Sequence, residues 1–129
     1  MQVYYFTRTG RSRKVAEELA ERYGVKAEEI ADDVDWQGPV GYLKAGYKSF
    51  MGEDLPARYR KPEAGEELIL VFPVWAGTFP PAVRMFLAKE GRAKVICIPT
   101  SISSKLKDRE GFLKIIDLAG KTIKTPASI

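Results

Sequence analysis

The stretch from Val3 to Ala16 constrains this chain most, because it packs an apolar run, a small polar loop and an amphipathic helix into fourteen residues. Val3-Tyr4-Tyr5-Phe6 has no polar alternation, the pattern of a strand buried on both faces. The helix that follows places Val15, Ala16, Leu19, Ala20 and Tyr23 on one stripe and Glu17, Glu18 and Glu21 on the other side. Between them lie the hydroxyls of Thr7, Thr9 and Ser12, with Gly10 free to turn tightly and to approach a ligand. A loop of this kind offers hydroxyls, backbone N–H groups and the positive end of a helix dipole to one small anion, phosphate above all. Ordinary capping and turn chemistry selects the same residues, so the loop alone leaves both readings open.

The other features bound the class. A chain of 129 residues with 45% hydrophobic composition suits one domain with its own core, and no run reaches the apolar length that spans a membrane. The first strand begins at once, leaving no room for a cleavable leader, so a cytoplasmic protein is expected. Cys97 is the only cysteine, no Cys-x-x-Cys occurs and histidine is absent, which excludes an internal disulfide, Ser-His-Asp and Cys-His catalysis and His-ligated metals. Cys97 itself reads as a buried, inert small hydrophobe. The net charge is +4 and the isoelectric point near 9.2, with basic clusters at Arg8, Arg11, Arg13 and Lys14 and at Arg58, Arg60 and Lys61. No aromatic-basic interleaving of an RNA-binding type appears, so they read as solvated surface, and neither nucleic acid nor a membrane is expected as partner.

In chain order, Gly24 closes the first helix and Val25 to Ile30 predicts a second, edge-type strand. After the acidic stretch Asp32 to Asp35 and Trp36, a second helix is expected with Tyr42, Leu43, Tyr47, Phe50 and Met51 on one face. A Pro-rich, charged connection from Leu55 to Glu67 leads to Leu68-Ile69-Leu70-Val71-Phe72, the clearest buried strand. The paired Pro80 and Pro81 open a third helix with Ala82, Val83, Phe86 and Leu87 inward and Gly91 at its end. Val95 to Pro99 is a fourth strand running into Thr100-Ser101-Ile102-Ser103-Ser104. Asp108 predicts the cap of a fourth helix through Phe112, Leu113, Ile115, Ile116 and Ala119, and Thr122 to Thr125 a short fifth strand.

Alternating strands and helices with buried-type strands predict an α/β domain over residues 1–129: a three-layer, doubly wound parallel sheet. In the strand order 2-1-3-4-5, ligands bind outside the carboxyl ends of the first and third strands. The loops at those ends, joined by the one after the fourth strand, are Thr7 to Ser12, Pro73 to Thr78 and Thr100 to Ser104.

Three segments then carry a family resemblance: the Thr-x-Thr-Gly-x-Ser loop, Gly41-Tyr42-Leu43-Lys44-Ala45-Gly46-Tyr47, and Pro73-Val74-Trp75-Ala76-Gly77 with Pro80-Pro81-Ala82-Val83-Arg84 and Phe86-Leu87. In this order, over residues 3 to about 104, the chain resembles the short flavodoxin-like FMN-binding proteins. The resemblance implies FMN as cofactor, with Thr7, Arg8, Thr9, Gly10, Arg11 and Ser12 binding its phosphate. It implies that Pro73, Val74, Trp75, Ala76 and Gly77 line one side of the isoalloxazine and that Thr100 and Ser101 approach from the other loop. Trp75 offers a stacking face, against the alternative of a core tryptophan. No metal site and no catalytic side chain are implied, since flavin carries the chemistry. The expected activity is electron transfer or NAD(P)H- or quinone-linked oxidoreduction, with a redox partner protein or a small electron acceptor; the alternative is a flavin-free binding or scaffold module of the same fold.

Three neighbouring classes fail on residues. A receiver domain needs acidic residues where Thr7 and Pro73 stand, a low-molecular-weight phosphatase needs Arg where Ser103 stands, and no Gly-x4-Gly-Lys-Ser/Thr occurs. Two departures from the flavodoxin pattern stand out: the chain is basic where electron carriers of this type are acidic, and the usual final helix is missing before Ile129. An uncovered flank of the sheet is therefore expected, and with it a homodimer that buries it, the alternative being a monomer whose last residues lie across the gap.

Overall fold

The computed structural model describes residues 1–32, 40, 41 and 57–129. The expected helix through Tyr42, Leu43, Tyr47, Phe50 and Met51, and Trp36 before it, lie outside the described residues. The apolar runs form the sheet: β1 (Gln2–Tyr5), β2 (Ala27–Glu29), β3 (Leu68–Pro73) and β4 (Val95–Ser101), all parallel, with α1 (Arg11–Tyr23) and α2 (Pro81–Glu90) between strands. With β5 at Lys114–Ile115, the order is β2-β1-β3-β4-β5, as predicted. Register runs straight across the middle, Val3 beside Ile69 and Ile69 beside Ile96.

The period-two alternation of the strands divides the core into two layers. Tyr4, Leu68, Leu70, Phe72 and Cys97 face α2, meeting Ala82, Val83, Phe86 and Leu87. Val3, Tyr5, Ile69, Val71, Ile96 and Ile98 face the other way, onto Val15, Ala16, Leu19 and Ala20 of α1. β3 is buried from Leu68 to Phe72 because it has a strand on each side and a helical layer on each face. Each such side chain contributes about 1.5–3 kcal/mol relative to exposure, which makes β3 the centre of stability. Cys97 is wholly buried on the α2 face, and burial pushes its thiol up to about 12, so it is a packing residue with no thiolate at neutral pH. Among the described residues, no helix is long and apolar enough to cross a membrane.

The far edge corrects two expectations. No helix follows Asp108; the segment is extended and supplies β5 (Lys114–Ile115) and β6 (Leu118–Ala119), both parallel to β4. These two short strands are one interrupted edge, and they occupy the place predicted for Thr122 to Thr125, which is not a strand. The apolar spacing that mimicked a helix is an alternation: Ile115 packs on the α2 layer and Ile116 on the α1 layer. Asp108 is not free to cap anything, because Arg92 Nη1 and Nη2 donate to its two carboxylate oxygens at 2.8 Å each. The same guanidinium lies 5.0 Å from the centre of Phe79 and 4.9 Å from that of Phe112, which fixes the segment over the end of α2.

The chain itself also packs on the flank that was expected to be uncovered. Leu118, Ile123 and Ile129 pack on the α1-side core, and Arg22 Nη1 donates to the carbonyls of Pro126 at 2.7 Å and Ala127 at 3.4 Å. Ile116, Leu118, Ile123 and Ile129 of the same chain thus lie across this flank, each still partly exposed.

The edge should be acid-sensitive. Hydrogen bonds from Arg92 hold the Asp108 carboxyl below its ordinary range, and those from Arg109, at 3.1 and 2.7 Å, do the same for Asp117. The native state therefore binds fewer protons than the unfolded chain over this interval, so the stabilisation is complete above the unfolded carboxyl value of about 3.9. It is lost as pH falls through the lower folded values. The urea midpoint is expected to drop below about pH 4, and Asp108→Asn with Asp117→Asn to flatten that limb; an unchanged acid limb in the double variant would contradict the assignment.

Candidate functional site

β1 ends at Tyr5, and the Phe6 N–H, bonded to the Val71 carbonyl at 3.0 Å, carries the chain one step further before the loop. The loop closes on itself: the Gly10 N–H donates to Thr7 Oγ1 at 2.9 Å, with Gly10 at φ 96°, a left-handed conformation that side chains oppose. The first bond of α1 is Lys14 N–H to the Gly10 carbonyl at 3.0 Å. No side chain caps this terminus and its first turn holds no acidic residue, so N–H groups and the dipole's positive end stay available to an anion.

The second wall follows β3. The Val74 N–H bonds the Thr100 carbonyl at 2.9 Å, extending the β3–β4 pairing to the rim. The chain then reverses in a two-residue hairpin, with Trp75 N–H to the Thr78 carbonyl at 2.9 Å and the return bond at 3.0 Å. Both central residues have positive φ, Ala76 at 52° and Gly77 at 77°, the signature of a type I′ turn. Gly77 suits this position, while Ala76 carries strain of about 1 kcal/mol. Ala76→Gly is therefore expected to raise unfolding stability by about 1 kcal/mol in a denaturant titration, and a loss of stability would show the turn to be unstrained.

These walls and the loop after β4 enclose a cleft of about 390 Å³, within the range of small-molecule sites. Its lining includes Arg8, Thr9 and Arg11 from the first loop, Pro73, Val74, Trp75 and Ala76 from the second, and Thr100 and Ser101 from the third. Four of the expected site residues stand behind it. Thr7 and Gly10 shape the loop, and Gly77, in the hairpin turn itself, is buried against Lys107, its carbonyl accepting from Lys107 N–H at 2.9 Å. Ser12 is 2% exposed and its hydroxyl lies 2.9 Å from Thr100 Oγ1, which is itself 3.4 Å from the Phe72 carbonyl. That chain joins α1 to the sheet.

Two further residues combine cleft and scaffold. Arg11 Nη2 donates to the Gly120 carbonyl and, at 3.5 Å, to that of Ser101. Trp75 is 8% exposed and meets the Phe6 ring edge-on at 5.4 Å, so most of its surface belongs to the core and only its margin to the cleft. The lining also holds Ile102, Ser103 and Ser104, absent from the expected ring contacts. The signal for them was the unbroken small, polar run after β4, in which the 63% exposed Ile102 stands out.

No family model matches the chain. An uncharacterized protein from Archaeoglobus fulgidus is 34% identical over 97 residues, which are 74% of this chain and 61% of that protein, so the chain spans about three fifths of this relative's length. Among solved structures, a flavoprotein in complex with FMN from Lactobacillus acidophilus superposes with a TM-score of 0.71 at 15% identity, covering 92% of this chain and 91% of the other. A protein assigned as a flavoprotein from Bacteroides uniformis gives 0.72 at 19%, covering 94% and 90%. The fold is flavodoxin-like. A second protein so assigned, from Bacteroides eggerthii, agrees at 0.63 and 17%, covering 92% and 85%. In the flavodoxin-like order the cleft lies where the strand order reverses, between the carboxyl ends of β1 and β3, with β4 beside them.

Proposed function

We propose that this chain binds FMN in the cleft, with the phosphate against the uncapped start of α1 and the ring between residues 73–76 and 100–104. The observation that carries the reading is a helix terminus without side-chain cap or acidic neighbour, opening on a cleft lined by Arg8, Thr9 and Arg11. The donor set fits a phosphate: the Arg8 guanidinium, the Thr9 hydroxyl and backbone N–H groups are all cationic or neutral donors. The Lactobacillus acidophilus protein of the same fold, crystallised with FMN, supports the choice of ligand. Bound flavin would supply electron transfer, or hydride exchange with a nicotinamide or quinone. The chain's own residues bind and orient: Arg8 and Thr9 take the phosphate, while Pro73, Val74 and Ala76 shape the ring wall and keep water from it. No side-chain nucleophile is needed, which agrees with the buried Cys97 thiol. A redox partner protein or small acceptor would exchange electrons at the open rim.

One observation favours the second reading, a flavin-free binding module: Ser12 is engaged with Thr100, and Arg11 with two backbone carbonyls, so two expected phosphate donors are already committed. The absorption spectrum of the purified protein, with mass identification of any released flavin, separates the two. A flavin band and an FMN mass support the proposal; a colourless protein that takes up no added FMN supports the module. Turnover with NAD(P)H and a quinone then distinguishes an enzyme from a carrier.

A further inference from the structure

A second recess lies outside this cleft, a groove of about 530 Å³ between α1 and residues 121–125. Lys14, Lys121 and Lys124 line it, and among the described residues none of the three forms an ion pair. Elsewhere Arg13, Arg60, Lys61, Arg92 and Arg109 each have a carboxylate within 4 Å. The one carboxylate in the groove's lining is Glu18, and it already accepts the Thr125 hydroxyl. Like charges gathered around a recess repel one another and focus a positive potential into it. The wall is held in place: Arg22 is bonded to the Pro126 and Ala127 carbonyls and Arg11 to that of Gly120. The half-buried Ile123 adds aliphatic surface to the same lining, with Val15 buried behind it.

A cationic rim beside one half-buried aliphatic side chain suits a ligand that has a weakly polar body and at least two negative charges. We propose that this groove is a second ligand site, taking a nucleoside diphosphate with its phosphates on Lys14, Lys121 and Lys124 and its base against Ile123. Arg11 lines both this groove and the cleft, so a nucleotide held here would sit beside the first site without occupying it. The inference does not depend on the cleft holding FMN.

Calorimetric titration of ADP into the purified full chain at low salt tests it, with adenosine and inorganic pyrophosphate as half-ligands. ADP is expected to bind more tightly than either, to weaken as added salt shortens the screening length, and to lose about tenfold or more in affinity in Lys121→Glu with Lys124→Glu. Circular dichroism of the double variant establishes that it is folded, and Lys121→Gln with Lys124→Gln should give a smaller loss. Absence of ADP binding, an affinity unchanged in the folded double variant, or ADP displaced competitively by FMN would each overturn the groove site. A protein that binds ADP and not FMN leaves this site standing and removes the proposal for the cleft.

Discussion

Trp75→Ala is expected to lower the unfolding free energy by about 3–5 kcal/mol, the largest effect of any single substitution near the site. Trp75 is buried at the end of β3, in the cluster that holds Phe72 and Phe79, and its ring meets Phe6 edge-on at 79°. Truncation removes that pair, worth about 0.5–1.5 kcal/mol beyond burial, and leaves a cavity under a hairpin that cannot collapse without breaking its two backbone bonds. Against a total stability of about 5–15 kcal/mol this is a large fraction, so the variant would lose ligand through unfolding. Trp75→Phe, which keeps an aromatic body, should lose much less. Denaturant titration of both variants decides the matter: a cost under about 1 kcal/mol for alanine would make Trp75 a cleft residue instead of a core one.

The second large effect is on binding. Arg8→Ala with Thr9→Ala is expected to weaken FMN by about 2–4 kcal/mol, about thirtyfold or more, because hydrogen bonds to a charged group contribute about 1.5–3 kcal/mol each. Both residues line the cleft, Thr9 is exposed, and neither belongs to the core clusters, so stability should change little. Ser12→Ala provides the contrast. Its hydroxyl is turned to Thr100, so its loss should reduce stability by about 1 kcal/mol and affect FMN only secondarily. Fluorescence titration of FMN against both variants, with melting curves alongside, reads the two effects separately. Equal FMN loss in both would put Ser12 in the cleft.

The sequence carried the parallel core and its site-bearing loops more clearly than the edge. Val3 to Phe6, Leu68 to Phe72 and Val95 to Pro99 are apolar on both faces, and only a sheet covered on both sides satisfies them, so the parallel core and the loop positions could be read from the residues, while the strand order came with the family resemblance. The segment after Asp108 misled because Phe112, Leu113, Ile115 and Ile116 satisfy a helical stripe as well as an alternating strand. What chose between them was Arg92, sixteen residues upstream of Asp108, whose hold on that carboxylate and on Phe79 and Phe112 is invisible to a local pattern. The same limit applies within the cleft. Spacing brought Thr9 and Ser12 to one loop, yet whether a hydroxyl points at ligand or at Thr100 depends on a strand 88 residues away. Trp75 was legible as a residue beyond the strand's end, and its burial followed from Phe6 and the hairpin instead.

The central claim is that the first loop and the start of α1 hold a flavin by its phosphate, and comparing FMN with riboflavin tests it most directly. The two ligands share the ring and differ in the phosphate, so calorimetric titration of each into flavin-free protein isolates that group. FMN should bind one to one and about a hundredfold or more tighter than riboflavin, the difference expected when a dianion is exchanged for a neutral hydroxyl at charged donors. Equal affinities for the two, or no uptake of FMN, would contradict it.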